Sequence, residues 1–381
     1  MHVRIERRLR QPRWLAVAVP VGSVAVALVV AAAVLGVTGH DPLTTYRLLF
    51  DAAFLNGGSL GQTLVTATPL AFTGLAAAAA FRMRLFNIGA EGQLYVGAIT
   101  SDAAGLYLGS HGWPTALVVA AMVAAGIAGG AAWASIPGVL RAFFKTNEII
   151  TSLMLNYVAG YILTYLVFNT ESYWRETKGF NASVFPTSKN LPARAVWPGW
   201  TLPAQGGITL PLGAGIAVLV ALVLWALYSR TRFGFEAQVL GDSERAARYA
   251  GVRLRRKILA VMAISGAIAG IGGASQVGDF RHALDADPNS LQKRQYGYAG
   301  IVVAALGRYN PFAVVLVAFL LGGLQNAGIT LEGPDFPAGL VGVIQGIILF
   351  AALGGELLVR YRVRVARRAK PEGPRAAVEA A

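Results

Sequence analysis

The chain has 381 residues, of which 55% are hydrophobic and only 14% are charged. An ordinary soluble protein has about 25% charged residues, so this composition and the mean hydropathy of +0.54 exclude a disordered chain and point away from a soluble globular one. Cysteine is absent, which excludes disulfide bonds and thiolate metal sites, and the four histidines lie far apart in the sequence. No metal site is predicted.

The net charge of +14 raises the question of nucleic acid, but the positions of the charges argue against it. The cationic residues crowd into the two ends of the chain and a few short loops, as membrane topology requires. Of the 33 Lys and Arg residues, 25 fall in segments that a ten-span topology with inside termini places in the cytoplasm. We therefore predict a chain surrounded by membrane lipid, with two cytoplasmic termini and no nucleic-acid partner.

Apolar stretches take up most of the chain. The first, residues 15–37, is longer than the about 7–15 apolar residues of a signal peptide, so it is predicted to be an uncleaved span. Nine further stretches follow: residues 60–81, 88–108, 115–137, 149–168, 208–228, 258–277, 296–306, 312–331 and 338–359. Since a span needs about 20 apolar residues, the predicted fold class is all-α, a polytopic membrane protein with about ten transmembrane helices. The eighth stretch is too short for a full span and is predicted to be a short or re-entrant helix.

Polar regions complete the predicted organisation around a transmembrane domain at residues 15–359. Residues 1–14 form a basic cytoplasmic N-terminus, and residues 360–381 form a basic cytoplasmic tail that is partly disordered. Residues 230–257 form the largest inside loop. Residues 169–207 form an outside loop rich in tryptophan and proline, which suits either anchoring at the membrane interface or docking of a partner.

The inside loop contains the signals of a short helix of about two turns. Asp242 or Ser243 suits the N-cap, where a side-chain oxygen accepts a backbone hydrogen bond. Glu244 follows in the first turn, and Gly251 suits a left-handed residue after the last turn. The intervening side chains are mostly alanine, so another protein surface can approach the backbone closely, with Tyr249 as an anchor. A helix of this length is marginal alone, and docking on a partner and lying on the membrane surface both remain open.

The carboxyl group of Glu91 lies within an otherwise apolar segment, where it is costly unless it is solvated or paired. Asn87 can cap the helix that contains Glu91, and the glycines nearby allow close helix packing. One interpretation is a broken or tightly packed helix that lines a substrate path. The other is a capped helix start near the interface, with Glu91 paired to Arg82 or Arg84.

A second polar segment, residues 146–157, combines a helix start with a polar residue deep in the predicted span. Thr146 or Asn147 suits the N-cap, and Glu148 complements the positive end of the helix, so capping is the favoured role for these residues. Asn156 lies deeper in the membrane. Because a buried amide needs partners, it is expected to bond either a neighbouring helix or a polar solute.

Two common enzyme signatures are missing. The chain has no G-x-x-x-x-G-K-[ST] phosphate loop and no H-E-x-x-H zinc motif. We predict a transport protein without catalytic residues, rather than an enzyme.

Several of these segments together resemble one known family. The residues that carry the resemblance are Phe86-Asn-Ile-Gly-Ala-Glu-Gly-Gln93, the run from Thr146-Asn-Glu-Ile-Ile150 through Asn156-Tyr157, Gly241-Asp-Ser-Glu-Arg-Ala-Ala-Arg-Tyr-Ala-Gly251, and Tyr298-Ala-Gly-Ile-Val-Val-Ala-Ala-Leu-Gly307 with Asn310-Pro311. They resemble the membrane subunit of bacterial ABC importers of the branched-chain amino acid, ribose and simple-sugar type, and especially the permeases of nucleoside uptake systems. The resemblance spans roughly residues 60–353.

The resemblance implies a coupling helix in the inside loop that docks into a separate cytoplasmic ATPase subunit. That subunit holds the ATP and Mg²⁺, and no cofactor is expected in this chain. The residues assigned to the coupling helix are Gly241, Asp242, Glu244, Ala247, Tyr249 and Gly251. The candidate residues of the substrate path are Asn87, Glu91, Gln93, Asn156 and Tyr157. A second permease chain, identical or homologous, and a substrate-binding lipoprotein complete the implied assembly in the bacterial cytoplasmic membrane.

The predicted function is the transmembrane subunit of an ATP-driven importer of a nucleoside or simple sugar, which a binding protein delivers. The alternative of another class is an ion-coupled secondary transporter of a small polar solute. Such a transporter needs ionisable residues in the membrane, and the candidates are Glu91, Asp102, Glu148 and Glu356. If the substrate is a nucleoside rather than a sugar, the candidates to stack on its base are Tyr95, Tyr157 and Tyr161.

Overall fold

The computed structural model of the protein describes residues 2–7, 15–169, 171–177, 188–203, 208–284, 295–333 and 339–366. Two compact units are distinguished. The smaller falls within Met1–Pro42 and Gly342–Ala381, and the larger is Leu43–Val341. All the residues predicted for the coupling helix and the substrate path belong to the larger unit.

Helices make up nearly all of the described regular structure, which confirms the all-α, polytopic fold. In chain order they are α1 (Leu15–Val37), α2 (Pro42–Phe50), α3 (Ser59–Phe81), α4 (Ala90–Ser110), α5 (Thr115–Phe144), α6 (Glu148–Phe168), α7 (Leu212–Arg230), α8 (Arg232–Asp242), α9 (Glu244–Tyr249), α10 (Leu254–Ser275), α11 (Tyr296–Leu306), α12 (Pro311–Leu331) and α13 (Gly339–Arg360). π-helical turns extend α2 over Asp51–Leu55 and α10 over Gln276–Arg281. The ten predicted spans coincide with α1, α3 to α7 and α10 to α13.

In the described part of the chain, six helices are long and apolar enough to cross a bilayer alone: α3, α5, α6, α7, α10 and α12. A seventh span results if α1 and the residues up to Leu55 are counted as one broken span. α4, with 21 residues, is long enough to cross a bilayer but is not one of these six helices. It contains two acidic residues, Glu91 and Asp102. α11 has only 11 residues, as predicted for the short element. It rises about 16 Å, which is half of the about 30 Å hydrocarbon core.

α3 is the central helix of the larger unit. Every residue from Thr66 to Phe81 is buried. In the most apolar part of α3 89% of the residues are enclosed, against 28% in the corresponding parts of α5, α6 and α7. α3 packs against α10, α11 and α12, and α10 also packs against α4 and α5. The enclosed helices therefore form the core, and the helices around them turn apolar surface outward, as spans in contact with lipid do.

α5 and α10 cross in direct backbone contact. A Cβ atom added at Gly270 on α10 would meet the carbonyl group of Gly126 and the Cα atom of Gly130, both on α5. A Cβ atom at Gly266 would meet the carbonyl group of Gly130. Small residues at such a crossing let two helices approach closely, which gives van der Waals packing where no hydrophobic effect drives them together.

The smaller unit contains a strand pair as well as helices. β1 (His2–Arg7) pairs antiparallel with β4 (Tyr361–Ala366), in a register that sets His2 opposite Ala366 and Arg7 opposite Tyr361. The sequence interpretation contains no strand here, and the overlooked signal is the period-two alternation of apolar and charged residues in both segments. Residues 8–14 and the predicted disordered tail beyond Ala366 lie outside the described residues.

The described parts of the predicted outside loop pack on the helix ends beside it. Trp197 is buried, and its backbone N–H donates to the carbonyl group of Gly278, after α10, at 3.0 Å. The N–H of Leu191 donates to the carbonyl group of His282 at 2.7 Å. Trp200 is exposed, at the start of β2 (Trp200–Leu202), which pairs with β3 (Ile208–Leu210). One of the loop's tryptophans therefore packs inside the protein, while another stays on its surface.

We expect Gly270→Val to lower the free energy of unfolding by about 3 kcal/mol, the upper end of the cost of adding atoms to a packed core, because the obstacle is the backbone of α5. The measurement is the thermal denaturation midpoint of the purified chain in detergent. Gly215→Val on α7 is the matched control, because nothing lies within 4 Å of a Cβ atom at Gly215. Equal midpoints for the two variants would contradict the close crossing.

Candidate functional site

The predicted inside loop folds into α8 and α9, which join at Ser243. The backbone N–H of Ser243 donates to the carbonyl group of Val239 at 2.9 Å and so ends α8. Its hydroxyl group accepts a hydrogen bond from the N–H of Ala246 at 3.2 Å and so caps α9. Of the two N-cap candidates in the sequence, the structure uses Ser243.

The end of α9 has the left-handed residue that the sequence predicts. Gly251 has a φ of +75°, and its N–H donates to the carbonyl group of Arg248 at 3.0 Å. The N–H of Val252 reaches back to the carbonyl group of Ala247, also at 3.0 Å. These two bonds form a Schellman motif, so the local sequence determines both ends of α9.

The outward face of α9 combines one aromatic ring with an ion pair. Tyr249 is 94% exposed. Arg248 and Glu244 are both exposed and lie 2.9 Å apart, nitrogen to oxygen. Ala247, which the resemblance assigns to the coupling helix, is buried against the rest of the chain. An aromatic side chain held in water on a rigid turn is typical of a surface that a partner covers.

On its inner side, α8 lies directly on the turn that follows α3. A Cβ atom at Gly241 would meet the carbonyl oxygen of Arg82 and the backbone of Met83, so the two segments touch through their main chains. The carboxylate of Asp242 lies 3.1 Å from the guanidinium group of Arg84. Both side chains of this pair are exposed, and such a pair contributes about 0–1 kcal/mol. The backbone contact therefore fixes α8 to this turn more than the ion pair does.

A second connection joins α8 to the start of α10. The ammonium nitrogen of Lys257 lies 2.7 Å from a carboxylate oxygen of Glu236 and 4.0 Å from the ring centre of Phe233. The hydrogen bond from Lys257 is the main reason that the pKa of the Glu236 carboxyl is lower than its ordinary value. The segment that carries α9 is thus held to α10 as well as to the end of α3.

The first group of predicted path residues closes the turn between α3 and α4. The side-chain amides of Asn87 and Gln93 exchange two hydrogen bonds of 3.0 Å, and both side chains are buried. The Asn87 amide also donates to the hydroxyl group of Ser265 on α10 at 2.9 Å. Ser265 in turn donates to the carbonyl group of Ala76 on α3 at 2.7 Å. These bonds join α3, α4 and α10 at one point.

Asn156 on α6 holds the other side of the same turn. Its side-chain oxygen accepts the N–H of Gly92 at 2.9 Å. Its amide group donates to the carbonyl group of Ile88 at 2.9 Å and to the hydroxyl group of Tyr298 on α11 at 3.2 Å. In this structure the partners of the buried amide are therefore neighbouring segments of the chain.

Glu91 lies between the first turns of α4 and α11. The hydroxyl group of Tyr95 donates to one carboxylate oxygen at 2.5 Å, and the backbone N–H of Gly297 donates to the other. Gly297 is needed for this approach, because a Cβ atom there would meet the Cα atom of Glu91 at 2.6 Å. The carboxyl group therefore links two helix starts that are 206 residues apart in sequence.

The ion pair of Glu91 with Arg82 or Arg84, one of the two interpretations of the sequence, is not formed in the described part of the chain. Arg84 pairs with Asp242 instead. The guanidinium group of Arg82 lies over the ring of Tyr228 at 5.1 Å. The physical reason is that the two arginines have other partners, Arg84 on α8 and Arg82 on α7, whereas Glu91 points inward to α11.

Of the five residues predicted for the substrate path, four are thus buried and bonded within the chain: Asn87, Glu91, Gln93 and Asn156. Tyr157 is 57% exposed. The buried four support helix packing in this conformation, and their part in a substrate path stays a prediction. Ser265 and Tyr298 complete their network. No signal in the sequence pointed to Ser265, and Tyr298 begins a segment that carries the resemblance but was assigned no role.

A row of tyrosines lies on the exposed face of α6. Tyr157, Tyr161 and Tyr165 are 57%, 74% and 64% exposed, and a spacing of four residues sets them on one side of the helix. Tyr165 was not a sequence candidate, although its spacing from Tyr157 and Tyr161 is the signal that would have found it. The row presents three rings with a hydroxyl group each along the middle and one end of α6.

Comparison with known proteins matches most of the chain. The family described as branched-chain amino acid transport system / permease component matches residues 59–353. The glucose ABC transporter permease protein TsgB13 of Haloferax volcanii is 33% identical over 378 residues, which cover 96% of this chain and 94% of that protein. The guanosine ABC transporter permease protein NupP of Bacillus subtilis is 32% identical over 87% of this chain and 91% of its own length. The nucleoside ABC transporter permease protein NupB of Lactococcus lactis is 30% identical over 88% and 90%.

We expect Asn156→Leu to destabilise the chain by about 2 kcal/mol, because it leaves the N–H of Gly92 and the carbonyl group of Ile88 buried without their partner. The shift of the denaturation midpoint in detergent measures the effect. Tyr157→Leu is the control, since the adjacent side chain is exposed and its loss should leave the midpoint in place. A fully stable Asn156→Leu variant that loses only transport would contradict the packing role and would place Asn156 in the substrate path.

Proposed function

The chain belongs to the permease component family of branched-chain amino acid transport systems, and on that premise we propose that it forms half of the membrane path through which an ATP-driven importer moves a nucleoside. It is a multi-pass membrane subunit of an ABC transporter and not an enzyme. As such a subunit it associates with an ATPase and a substrate-binding protein. This membership argues against the ion-coupled secondary transporter that the sequence left as an alternative.

The observation that carries the substrate proposal is that two of the three relatives described above are named for nucleosides and one for glucose. Two relatives with that name, at 32% and 30% identity, match 87% and 88% of the chain. A simple sugar is the second candidate, because a glucose permease is 33% identical over 96% of the chain. The two substrate classes share a ring that carries several hydroxyl groups, and the nucleoside adds a flat base.

The tyrosine row of α6, Tyr157, Tyr161 and Tyr165, supports a path along this helix. A tyrosine presents an apolar ring with one polar tip, which suits stacking on a base or a sugar together with a hydrogen bond. In the middle of a lipid bilayer the hydroxyl groups of Tyr157 and Tyr161 would lack a partner, whereas that of Tyr165, near the helix end, accepts a hydrogen bond from the Asn169 amide at 3.0 Å. The exposed face of α7 gives the contrast, because its most exposed large side chains are aliphatic: Val218, Leu219, Leu222 and Val223. Trp225, near the end of α7, is less exposed. We therefore assign the α7 face to lipid and the α6 face to the path between two permease chains, identical or homologous.

We place the ATPase at α9, the coupling helix. Its exposed Tyr249 supplies an aromatic anchor, and the ATP and Mg²⁺ belong to the ATPase rather than to this chain. Closure of the ATPase moves α9, and α8 passes the displacement to the backbone of Met83 through the contact at Gly241. From there the chain leads through Asn87 to α4, which packs against α5 and α10. A displacement carried by packed helices shifts the membrane domain between two discrete arrangements.

The distribution of positive charge supports a cytoplasmic position for α9. Of the 33 Lys and Arg residues, 25 belong to the termini and to the loops on the α9 side. We infer that both termini and α9 are cytoplasmic, in a bacterial cytoplasmic membrane, and that a lipoprotein delivers the substrate from the other side. The membrane path then needs little affinity of its own for the solute.

The test of the substrate class is ATP hydrolysis in liposomes that contain this chain, the second permease chain, the ATPase and the binding protein. We expect guanosine and other nucleosides to stimulate hydrolysis, and glucose and ribose to leave it at the basal rate. Stimulation by sugars alone would replace the nucleoside with the second candidate. Uptake by this chain alone, driven by an ion gradient, would overturn the transporter class.

The test of the docking surface is Tyr249→Ala. Because Tyr249 is 94% exposed, its removal should leave folding intact and weaken ATPase binding about 30-fold, the effect of losing an interface hot spot of about 2 kcal/mol. Titration of the purified ATPase against the chain in nanodiscs measures the affinity. Phe235→Ala on α8 is the control, an aromatic residue that is 69% exposed outside α9. An equal loss in both variants would argue against α9 as the specific contact.

A further inference from the structure

Beside α9 lies a cavity whose cationic side chains the transport proposal does not use. Its volume is about 910 Å³, the size of a site for a small ligand. Four segments form its wall: the turn after α3, the end of α5 with Lys145, the junction of α8 with α9, and the start of α10. The cavity therefore sits where α3 and α5 end and α10 begins, at one edge of the apolar helix bundle.

The wall of this cavity is strongly cationic. Among the described residues of the wall, the only acidic one is Glu244, and seven are cationic: Arg84, Arg141, Lys145, Arg248, Arg253, Arg255 and Arg256. Carboxylates pair with three of the seven: Asp242 with Arg84 at 3.1 Å, Glu148 with Arg141 at 3.3 Å, and Glu244 with Arg248 at 2.9 Å. The wall thus has more positive charge than its acidic partners neutralise.

The surplus charge comes from the start of α10 and from Lys145. Within the described parts of the chain, Lys145, Arg253, Arg255 and Arg256 have no carboxylate within ion-pair distance. Arg255 lies over the ring of Phe143, 5.0 Å from its centre, so that its guanidinium group is oriented although it is unpaired. Four like charges around one cavity repel each other, and an anion in the cavity relieves that repulsion.

The apolar part of the wall indicates the kind of anion. Phe143, Leu85, Leu254 and Ile258 line the cavity next to the arginines. Phe143 and Phe144, at the end of the membrane span α5, are 50% and 71% exposed. A site with cationic and apolar walls at the end of a span matches a lipid, whose phosphate lies at the interface and whose chains lie in the hydrocarbon layer. A free phosphate ion would gain nothing from the apolar wall.

We propose that this cavity binds the headgroup of an anionic phospholipid, with its phosphate held by Arg253, Arg256 and Lys145. Guanidinium groups bind phosphate oxygens through paired hydrogen bonds, and basic pockets between spans on the cytoplasmic side suit anionic headgroups. A concave site also fits one headgroup better than an acidic protein surface, which needs about 800 Å² of contact area on each partner. Because Arg248 of α9 belongs to the same wall, the occupant stabilises one position of the coupling helix.

The lipid site deepens the proposed function, since it places a bilayer component against the helix that we assign to the ATPase. Its occupancy is measured without the ATPase, the binding protein or a transported solute. A failure of the transport assays would therefore leave the lipid site standing, and a failure of lipid binding would leave the transport proposal standing.

The test is retention of phosphatidylglycerol, compared with phosphatidylcholine, by the purified full chain in native mass spectrometry. The variant Arg253→Gln with Arg256→Gln removes two cations of the cavity, and we expect about 30-fold weaker retention of phosphatidylglycerol. The matched control, Arg230→Gln with Arg232→Gln, removes the same charge at the same end of the protein outside the cavity wall, and should retain the lipid. Lys145→Asn is a second variant with little risk to folding, because Lys145 has a φ of +56° and asparagine tolerates that conformation.

Three outcomes would overturn the proposal. Equal losses in the cavity variant and its control would show that the lipid responds to overall surface charge alone. Displacement of phosphatidylglycerol by excess inorganic phosphate would show that a soluble anion is the occupant. Unchanged lipid retention together with weaker ATPase binding in the cavity variant would show that the cations serve an acidic surface of the partner protein.

Discussion

The carboxyl group of Glu91 lies between the N-terminal ends of α4 and α11. Each helix start carries a partial positive charge and backbone N–H groups without a partner inside the helix, and both are hard to accommodate in a membrane domain. The carboxylate, closed off by the hydroxyl group of Tyr95, accepts a backbone N–H of α11, while the side-chain oxygen of Asn156 accepts the N–H of Gly92 in the first turn of α4. This arrangement requires glycine at position 297 and sets the point at which α11 begins. The buried amides of Asn87, Gln93 and Asn156 fix the turn that places Glu91 there.

The same turn connects the interior to the surface. The segment from Met83 to Asn87 is short and not helical. Direct contacts fix both of its ends, since Met83 touches Gly241 and the Asn87 amide bonds Ser265. α8 is also held to α10 by the pair of Lys257 with Glu236. A force on α9 therefore acts on α3, α4 and α10 together rather than on a loose loop. The exposed ion pair of Arg84 with Asp242 contributes little to this connection.

Features that depend on nearby residues were predictable from the sequence. The lengths of the apolar runs predicted ten helices. Ser243 and Gly251 indicated the two ends of α9, because capping acts within one turn. The partners of Glu91 and Asn156 were not predictable, because Gly297 and Tyr298 lie 206 and 142 residues away from them in sequence. The cationic cavity was not predictable for the same reason, since four separate segments each supply a part of its wall. Tyr165 and the strands β1 and β4, in contrast, had periodic signals that were overlooked.

The pairing of β1 with β4 limits the number of times that the chain crosses the membrane. Two strands joined by backbone hydrogen bonds occupy one compartment, because a hydrocarbon layer of about 30 Å would otherwise separate them. The number of crossings between Arg7 and Tyr361 is therefore even. If the nine longer predicted spans each cross once, an even total requires one further passage, and α11, between α10 and α12, is the one remaining predicted span. With its length of about 16 Å, α11 covers half of such a passage, and in that arrangement one of its two ends lies inside the bilayer rather than at its edge.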